Sequence, residues 1–88
     1  MKELTAGMFA RSLAGHDKGK LYVITGVEGA FVYLADGRLR PTAKPKKKRR
    51  IHIQPDCTVS PILRERLDAG LPIREEDIRK AIKAKEVC

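Results

Sequence analysis

The apolar residues near the start of the chain alternate with polar ones with a period of two, which is typical of strands rather than helices. In the first predicted strand, residues 7–12, Met8 and Ala10 lie on one face and Phe9 lies on the other. A second strand is predicted over residues 21–25, because that run is rich in β-branched and aromatic side chains.

Three more short strands are predicted farther along the chain, at residues 31–35, 38–40 and 51–54. A turn at residues 27–30 is expected to join the second and third strands as a hairpin, and Asp36-Gly37 is a strong tight-turn signal after the third. Pro41 and Pro55 are expected to end the last two strands, since proline cannot donate to a sheet. Five antiparallel strands over about 50 residues predict a small closed or half-closed barrel.

The pattern changes at Ser60, which we expect to cap a helix with Pro61 at its first position. Gly70 is a stop signal for that helix, and a second amphipathic run with acids at its start and cations at its end follows. The sequence therefore predicts a mainly β fold, with a barrel over residues 1–59 and a helical hairpin appended over residues 60–88.

The positive charge of the chain is concentrated in one segment. The net charge is +8, and residues 38–50 hold eight of the 19 Lys and Arg residues and no acid, which leaves 11 cations to face the 11 Asp and Glu residues elsewhere. Pro41 and Pro45 exclude a regular helix, so residues 41–50 are expected to form an extended basic arm. Such a concentration indicates a polyanionic partner, although a solvated, disordered basic segment is the alternative.

A polar loop with two glycines leads into the second predicted strand. Gly15 and Gly19 are expected to adopt positive φ, which would leave backbone N–H groups free to approach a phosphate beside Lys18 and Lys20. The competing explanation for the glycines is purely structural, a tight turn that closes the hairpin, and both roles can hold together.

Aromatic side chains are scarce, and this bears on the kind of nucleic acid. Tyr22 and Tyr33 are the only tyrosines, no tryptophan is present, and either tyrosine could belong to the core. The scarcity argues against a single-strand binder that relies on stacking and favours folded or double-stranded RNA, recognised by its shape and backbone.

Catalysis finds little support. The residue types that could carry it are Ser12, His16, Asp17, His52, Asp56, Cys57 and Ser60. None falls in a nucleophile elbow, a zinc-protease helix or a phosphate-binding loop motif. An enzyme that acts on RNA through His16 or His52 remains the weakest hypothesis.

The cysteines and the hydropathy point to a protein of the cytoplasm. Cys57 and Cys88 have no C-x-x-C companion, so a four-ligand zinc finger is excluded and a disulfide is not expected in a reducing compartment. No metal or other cofactor is expected, because the spacing of the two histidines and two cysteines gives no sign of a site. No apolar run reaches about 18 residues, and the start of the chain lacks the apolar block of a signal peptide.

The stretch G-M-F-A-R-S-L-A-G-H-D-K-G-K-L-Y-V-I-T-G-V resembles a KOW motif, with Gly19 as its central glycine. Its continuation through A-D-G-R-L-R-P and K-P-K-K-K-R-R resembles small bacterial KOW-domain RNA-binding proteins, which are similar to KOW-containing large-subunit ribosomal proteins of archaea and eukaryotes. The resemblance covers roughly residues 7–54 and implies an SH3-like β-barrel that binds RNA, with ribosomal RNA as the first candidate. It does not extend to the helical segment.

We therefore expect a non-catalytic RNA-binding protein in a ribosome or translation context, without a small-molecule substrate or a membrane partner. The alternative is a protein-interaction module of the transcription or translation machinery whose basic arm only adds solubility. The residues expected to contact RNA are Gly15, His16, Lys18, Gly19, Lys20, Arg38, Arg40, Lys44, Lys46, Lys47, Lys48, Arg49 and Arg50.

Overall fold

The computed structural model describes residues 3–87, apart from the side chains of Cys57 and Val87. The expectation that Cys57 and Cys88 form no disulfide therefore lies outside the described part of the chain. The elements in chain order are β1 (Met8–Ser12), β2 (Leu21–Glu28), β3 (Phe31–Ala35), β4 (Lys46–Arg49), a 3-10 turn (Arg50–His52), β5 (Ile53–Val59), α1 (Pro61–Asp68) and α2 (Glu75–Val87).

The five strands form one antiparallel sheet in the order β4-β3-β2-β1-β5. The sheet curls into a half-barrel, and the two helices follow it in the chain. This confirms the predicted fold class, a mainly β, small SH3-like barrel with a C-terminal helical hairpin.

Two apolar clusters lie on the two faces of the curled sheet. The concave face is filled by Met8, Ala10, Tyr22, Ile24, Val32, Leu34 and Ile53. The outer face is joined to the helices by Phe9, Leu21, Val23, Ala35, Leu63, Ile78 and Ala81. The alternation predicted for β1 is confirmed, because its even-numbered apolar residues enter the first cluster and Phe9 enters the second.

The predicted signals at both ends of α1 are confirmed. Ser60 caps the helix by accepting the N–H of Ile62 at 3.3 Å, and Pro61 is the first helical residue. Gly70 follows the helix with a φ of +71°, and its N–H and the next one donate to carbonyl groups of the last turn at 3.1 and 2.9 Å. Within residues 3–87, neither helix is long and apolar enough to cross a membrane.

The fourth strand lies inside the predicted basic arm, at residues 46–49, rather than at residues 38–40. The reason is the carboxylate of Asp36, whose Oδ1 accepts the backbone N–H of Arg38 at 2.9 Å and of Arg40 at 2.8 Å. These bonds hold the segment in a loop and keep its N–H groups from joining a sheet. Residues 46–49 of the predicted arm are therefore built into the barrel as a strand.

The end of β2 also differs from the prediction. The strand continues to Glu28, whereas a turn is predicted at residues 27–30, and the turn itself is limited to Gly29 and Ala30. A bulge shifts the pairing register between Ile24 and Gly26. Bulges increase the local twist, which suits a strand that must follow a curled sheet.

The fifth strand begins and ends later than the predicted residues 51–54. The 3-10 turn occupies residues 50–52, and β5 then passes through Pro55 to Val59. Because β5 is an edge strand, the missing N–H of a proline does not break the sheet.

Candidate nucleic-acid interface

The cations of β4 alternate between the two faces of the sheet. Lys46 and Lys48 lie opposite Leu34 and Val32, which are core residues of the concave face. Residues that lie directly opposite each other share a face, so these two lysines point inward. In keeping with this, only 9% of the Lys48 side chain is exposed to solvent.

Both inward lysines meet the carboxylate of Asp17, which belongs to the two-glycine loop. Lys46 Nζ donates to Oδ2 at 2.8 Å and Lys48 Nζ donates to Oδ1 at 3.0 Å. Tyr22 donates its hydroxyl to Oδ2 at 2.7 Å, and Ser12 Oγ lies 2.9 Å from Oδ1. Burial alone would raise the pKa of Asp17, but the hydrogen bonds from these partners outweigh it and hold that pKa well below its usual range.

Lys48 has no donor left for a ligand. Its ammonium donates to Asp17, to Ser12 Oγ at 2.7 Å and to the carbonyl oxygen of Ala14 at 2.7 Å. An ammonium has three N–H donors, so all of them are used inside the protein. Lys48, a predicted phosphate contact, is thus a structural residue. Lys46, also predicted as a contact, pairs with the same carboxylate of Asp17.

The outward cations of β4 lie beside two aromatic rings. Lys47 is opposite Tyr33 and Arg49 is opposite Phe31. The Lys47 ammonium is 4.4 Å from the centroid of the Phe31 ring, and the Arg49 guanidinium carbon is 5.8 Å from it. Both cations are exposed, whereas both aromatic residues are half-buried.

The basic segment as a whole, residues 38–50, keeps six exposed cations. They are Arg38, Arg40, Lys44, Lys47, Arg49 and Arg50. Among the described residues, none of the six forms an ion pair with an acid. This part of the surface therefore carries an uncompensated positive charge on elements of fixed geometry.

The two-glycine loop is a closed turn. Gly15 and Gly19 have φ values of +86° and +89°, which confirms the predicted positive φ. The N–H of Gly19 donates to the Ser12 carbonyl at 2.8 Å, and the N–H groups of Lys18 and Lys20 donate within the loop at 3.2 and 2.9 Å. The prediction that these N–H groups are free for a phosphate is wrong, because they close the turn.

The side chains of the two-glycine loop differ in whether they remain open to a ligand. His16 and Lys18 are exposed, so each remains a candidate contact. Lys20 instead pairs with Asp36 and lies 5.2 Å from the centroid of the Tyr22 ring. Burial would raise the pKa of Asp36, but the Lys20 ammonium and the backbone N–H groups of the following loop lower it.

The helical hairpin holds the first part of the basic segment in place. Glu75, at the start of α2, accepts the backbone N–H of Thr42 at 2.8 Å and its hydroxyl at 2.6 Å. Arg79 donates to the carbonyl oxygen of Gly37 at 2.7 Å. A side chain at Gly37 would lie 2.6 Å from a carbonyl oxygen of α2, so the loop and the helix are in direct contact.

An open groove of about 510 Å³ separates this loop from the last turns of α2. Lys80 and Lys83 line one wall, and Arg38 and the 82% exposed Leu39 line the other. These two lysines are not predicted from the sequence as part of the interface, although their i,i+3 spacing places them on one face of α2.

The residues considered for catalysis do not form a catalytic group. Ser12 and Asp17 meet, but their third partner is Lys48, whose three donors are all used within the protein rather than in activating the Ser12 hydroxyl. His16 and His52 are exposed and make no side-chain hydrogen bond within the described residues. In the same part of the chain, no three His, Cys, Asp or Glu side chains are close enough to hold a metal ion.

The remaining candidates have roles in the fold. Ser60 is the cap of α1, and Asp56 pairs with Lys85 of α2. The side chain of Cys57 lies outside the described part.

Comparison with known proteins adds no relative: no protein-family model and no curated protein matches the chain.

Proposed function

We propose that this protein is a non-catalytic RNA-binding protein of the KOW type, which binds ribosomal or other structured RNA in a ribosome or translation context in the cytoplasm. The observation that carries the proposal is the set of six exposed cations in the basic segment that form no ion pair with an acid of the described residues. Clustered cations bind a polyanion because they release counterions from its phosphates. The SH3-like barrel agrees with the fold that the KOW resemblance implies.

The fixed geometry of the basic segment supports a specific ligand over a solubility device. A segment that only adds solubility needs no ordered contacts, whereas this one is paired with β3 and hydrogen-bonded to α2. Because its loop and strand are held before a ligand arrives, less conformational entropy is lost on binding.

The test is the salt dependence of RNA binding. The variant carries Lys47→Gln and Arg49→Gln, two exposed changes that leave the Asp17 contacts intact. With fragments of ribosomal RNA as the probe, the slope of log affinity against log salt should fall by about 1 for each cation removed. Unchanged affinity and slope in this variant would contradict the proposal.

The matched control is Arg64→Gln, which removes a charge from α1. The ion pair of Arg64 with Asp68, at 4.0 Å, is exposed to solvent. If the basic segment is the interface, the control should keep the wild-type slope. An equal loss in the control would mean that net charge alone governs binding.

A second candidate function is a protein-interaction module, and one observation favours it. Leu39 lies within the basic segment and Ile51 directly follows it, and their side chains are 82% and 75% exposed. Two exposed apolar side chains suit a protein partner better than a phosphate backbone. Nuclease treatment of the purified complex separates the two functions, because it should release an RNA partner and leave a protein partner bound.

A further inference from the structure

The aromatic residues of this protein fall into two groups. The chain has two phenylalanines, two tyrosines and no tryptophan. Phe9 and Tyr22 are buried in the two apolar clusters, each with 2% of its surface exposed. Phe31 and Tyr33 belong to neither cluster and lie together on the outer face of β3.

The helices cover only one end of that outer face. Ala35, two residues beyond Tyr33 on the same face, packs in the cluster that contains α1 and α2. Phe31 and Tyr33 lie past the helices, toward the β2–β3 turn, and the core does not explain why these positions are aromatic. What borders them on the next strand is Arg49 and Lys47.

We propose that Phe31, Tyr33, Lys47 and Arg49 form a platform that stacks unpaired bases of single-stranded RNA segments. This inference rests on the proposed RNA-binding function and names the kind of RNA that the site selects. Unpaired bases expose flat faces that stack on aromatic rings, and this stacking tolerates any sequence. A paired duplex buries those faces and offers no base for such a surface.

The spacing of the two rings suits successive bases. Phe31 and Tyr33 are two residues apart in a strand, so their side chains leave the sheet about 7 Å apart. One common class of RNA-binding sheet carries aromatic side chains on one face and stacks two or three splayed bases on them in this manner.

The charges give the RNA a direction across the platform. Lys47 and Arg49 lie on the β4 side, whereas Glu28 lies on the β2 side with its Oε2 3.4 Å from the Tyr33 hydroxyl. A phosphate is attracted to the first side and repelled from the second. The sugar–phosphate backbone therefore runs along β4 and the bases lie over β3.

The contact between Lys47 and Phe31 fits this arrangement. In the free protein the ammonium lies over the Phe31 ring at 4.4 Å. Such a cation–π contact at an exposed site is weak, and the long lysine side chain can exchange the ring for a phosphate while a base takes its place. The scarcity of aromatics, which argued for double-stranded RNA, is thus offset by the placement of two of them at one surface.

Tyrosine fluorescence provides a direct test. The probes are a single-stranded RNA of about 12 nucleotides, within the usual range of single-strand sites, and the same RNA annealed to its complement. Single-stranded RNA should quench the tyrosine emission of the full chain and bind more tightly than the duplex. Tyr33→Phe should keep the affinity within about twofold but lose the quenching, since Tyr22 is buried and bonded to Asp17.

The variant Phe31→Leu with Tyr33→Leu removes both rings while leaving the apolar clusters and the cations in place. It should weaken single-stranded binding at least about tenfold without changing the salt slope, because stacking and not charge is lost. Leu71→Ala, an apolar change at an exposed position just after α1 and away from the basic segment, is the control and should bind like the wild type.

The outcomes test the proposed platform and the proposed RNA-binding function separately. Wild-type binding by the double leucine variant, or tighter binding of the duplex, would overturn the platform while RNA binding itself stands. Failure of both probes and of ribosomal RNA to bind would overturn the proposed function and the platform together.

Discussion

Both faces of β4 are positively charged, but the cations of the two faces have different roles. On the inward face, Lys48 is 9% exposed and gives all three of its donors to the protein. On the outward face, Lys47 and Arg49 are exposed, and within residues 3–87 neither pairs with an acid. A run of consecutive cations is thus not a uniform binding surface, because the alternation of a strand divides it into a structural half and a half open to a ligand.

The largest expected effect comes from removing the acid that holds the inward face. Asp17→Asn would leave the largely buried Lys48 without its counter-charge, so the free energy of unfolding should fall by about 3 kcal/mol. Urea denaturation measures this change. Asp68→Asn, which alters an exposed pair, should shift the free energy of unfolding by less than about 0.5 kcal/mol.

Acid should weaken the ion pairs that stabilise the fold, including the pair between Asp17 and the inward face of β4. The folded protein lowers the pKa of Asp17, Asp36 and Asp77, and Lys85 with Thr58 lowers the pKa of Asp56 to about 2. A lowered folded-state pKa contributes stability that is fully present above the unfolded value, about 4, and is lost as the pH falls toward the folded value. Urea denaturation from pH 7 downward should show the loss beginning near pH 4, and Asp17→Asn should reduce its slope.

Substituting the adjacent Lys47 and Lys48 in turn compares the two faces of β4 directly. Lys48→Met should lower the free energy of unfolding by about 2 kcal/mol, because three part-buried acceptors each lose a charged donor. Lys47→Met should change it by less than about 0.5 kcal/mol. Adding Asp17→Asn to Lys48→Met should cost less than the sum of the single changes, and strict additivity would contradict the contact.

The smallest expected effect concerns the groove beside α2. If the RNA backbone continues from the basic segment into the groove, Lys83→Gln should weaken binding of ribosomal RNA about twofold to threefold at low salt. Filter binding or fluorescence anisotropy can measure this change. No change in affinity would confine the interface to the barrel.

The parts of the fold that could be predicted are those governed by local pattern. The period-two alternation located β1 and β3, and Ser60 and Gly70 marked the ends of α1. β4 could not be predicted in this way, because a lysine run has low strand propensity and is stabilised here by partners elsewhere in the fold. The Asp36 carboxylate, by binding two N–H groups of the next loop, removed the strand that the pattern predicted there.

The candidate site, like the fold, could be predicted only where local sequence pattern determines it. The excess of charge in residues 38–50 is visible in the sequence, and so is the two-residue spacing of Phe31 and Tyr33. Which cations face inward depends on how β4 pairs with β3, and their partner Asp17 lies far away in the chain and meets them only in the folded sheet. Whether the two rings are covered depends on where the helices pack, which no local pattern records.

The most direct test of the division within β4 is the acetylation rate of its lysines, read by mass spectrometry with and without fragments of ribosomal RNA. Lys47 should react readily in the free protein and be protected by RNA, whereas the adjacent Lys48 should react slowly in both states. Rapid reaction of Lys48 in the folded protein, or protection of Lys48 and not of Lys47 by RNA, would contradict the account.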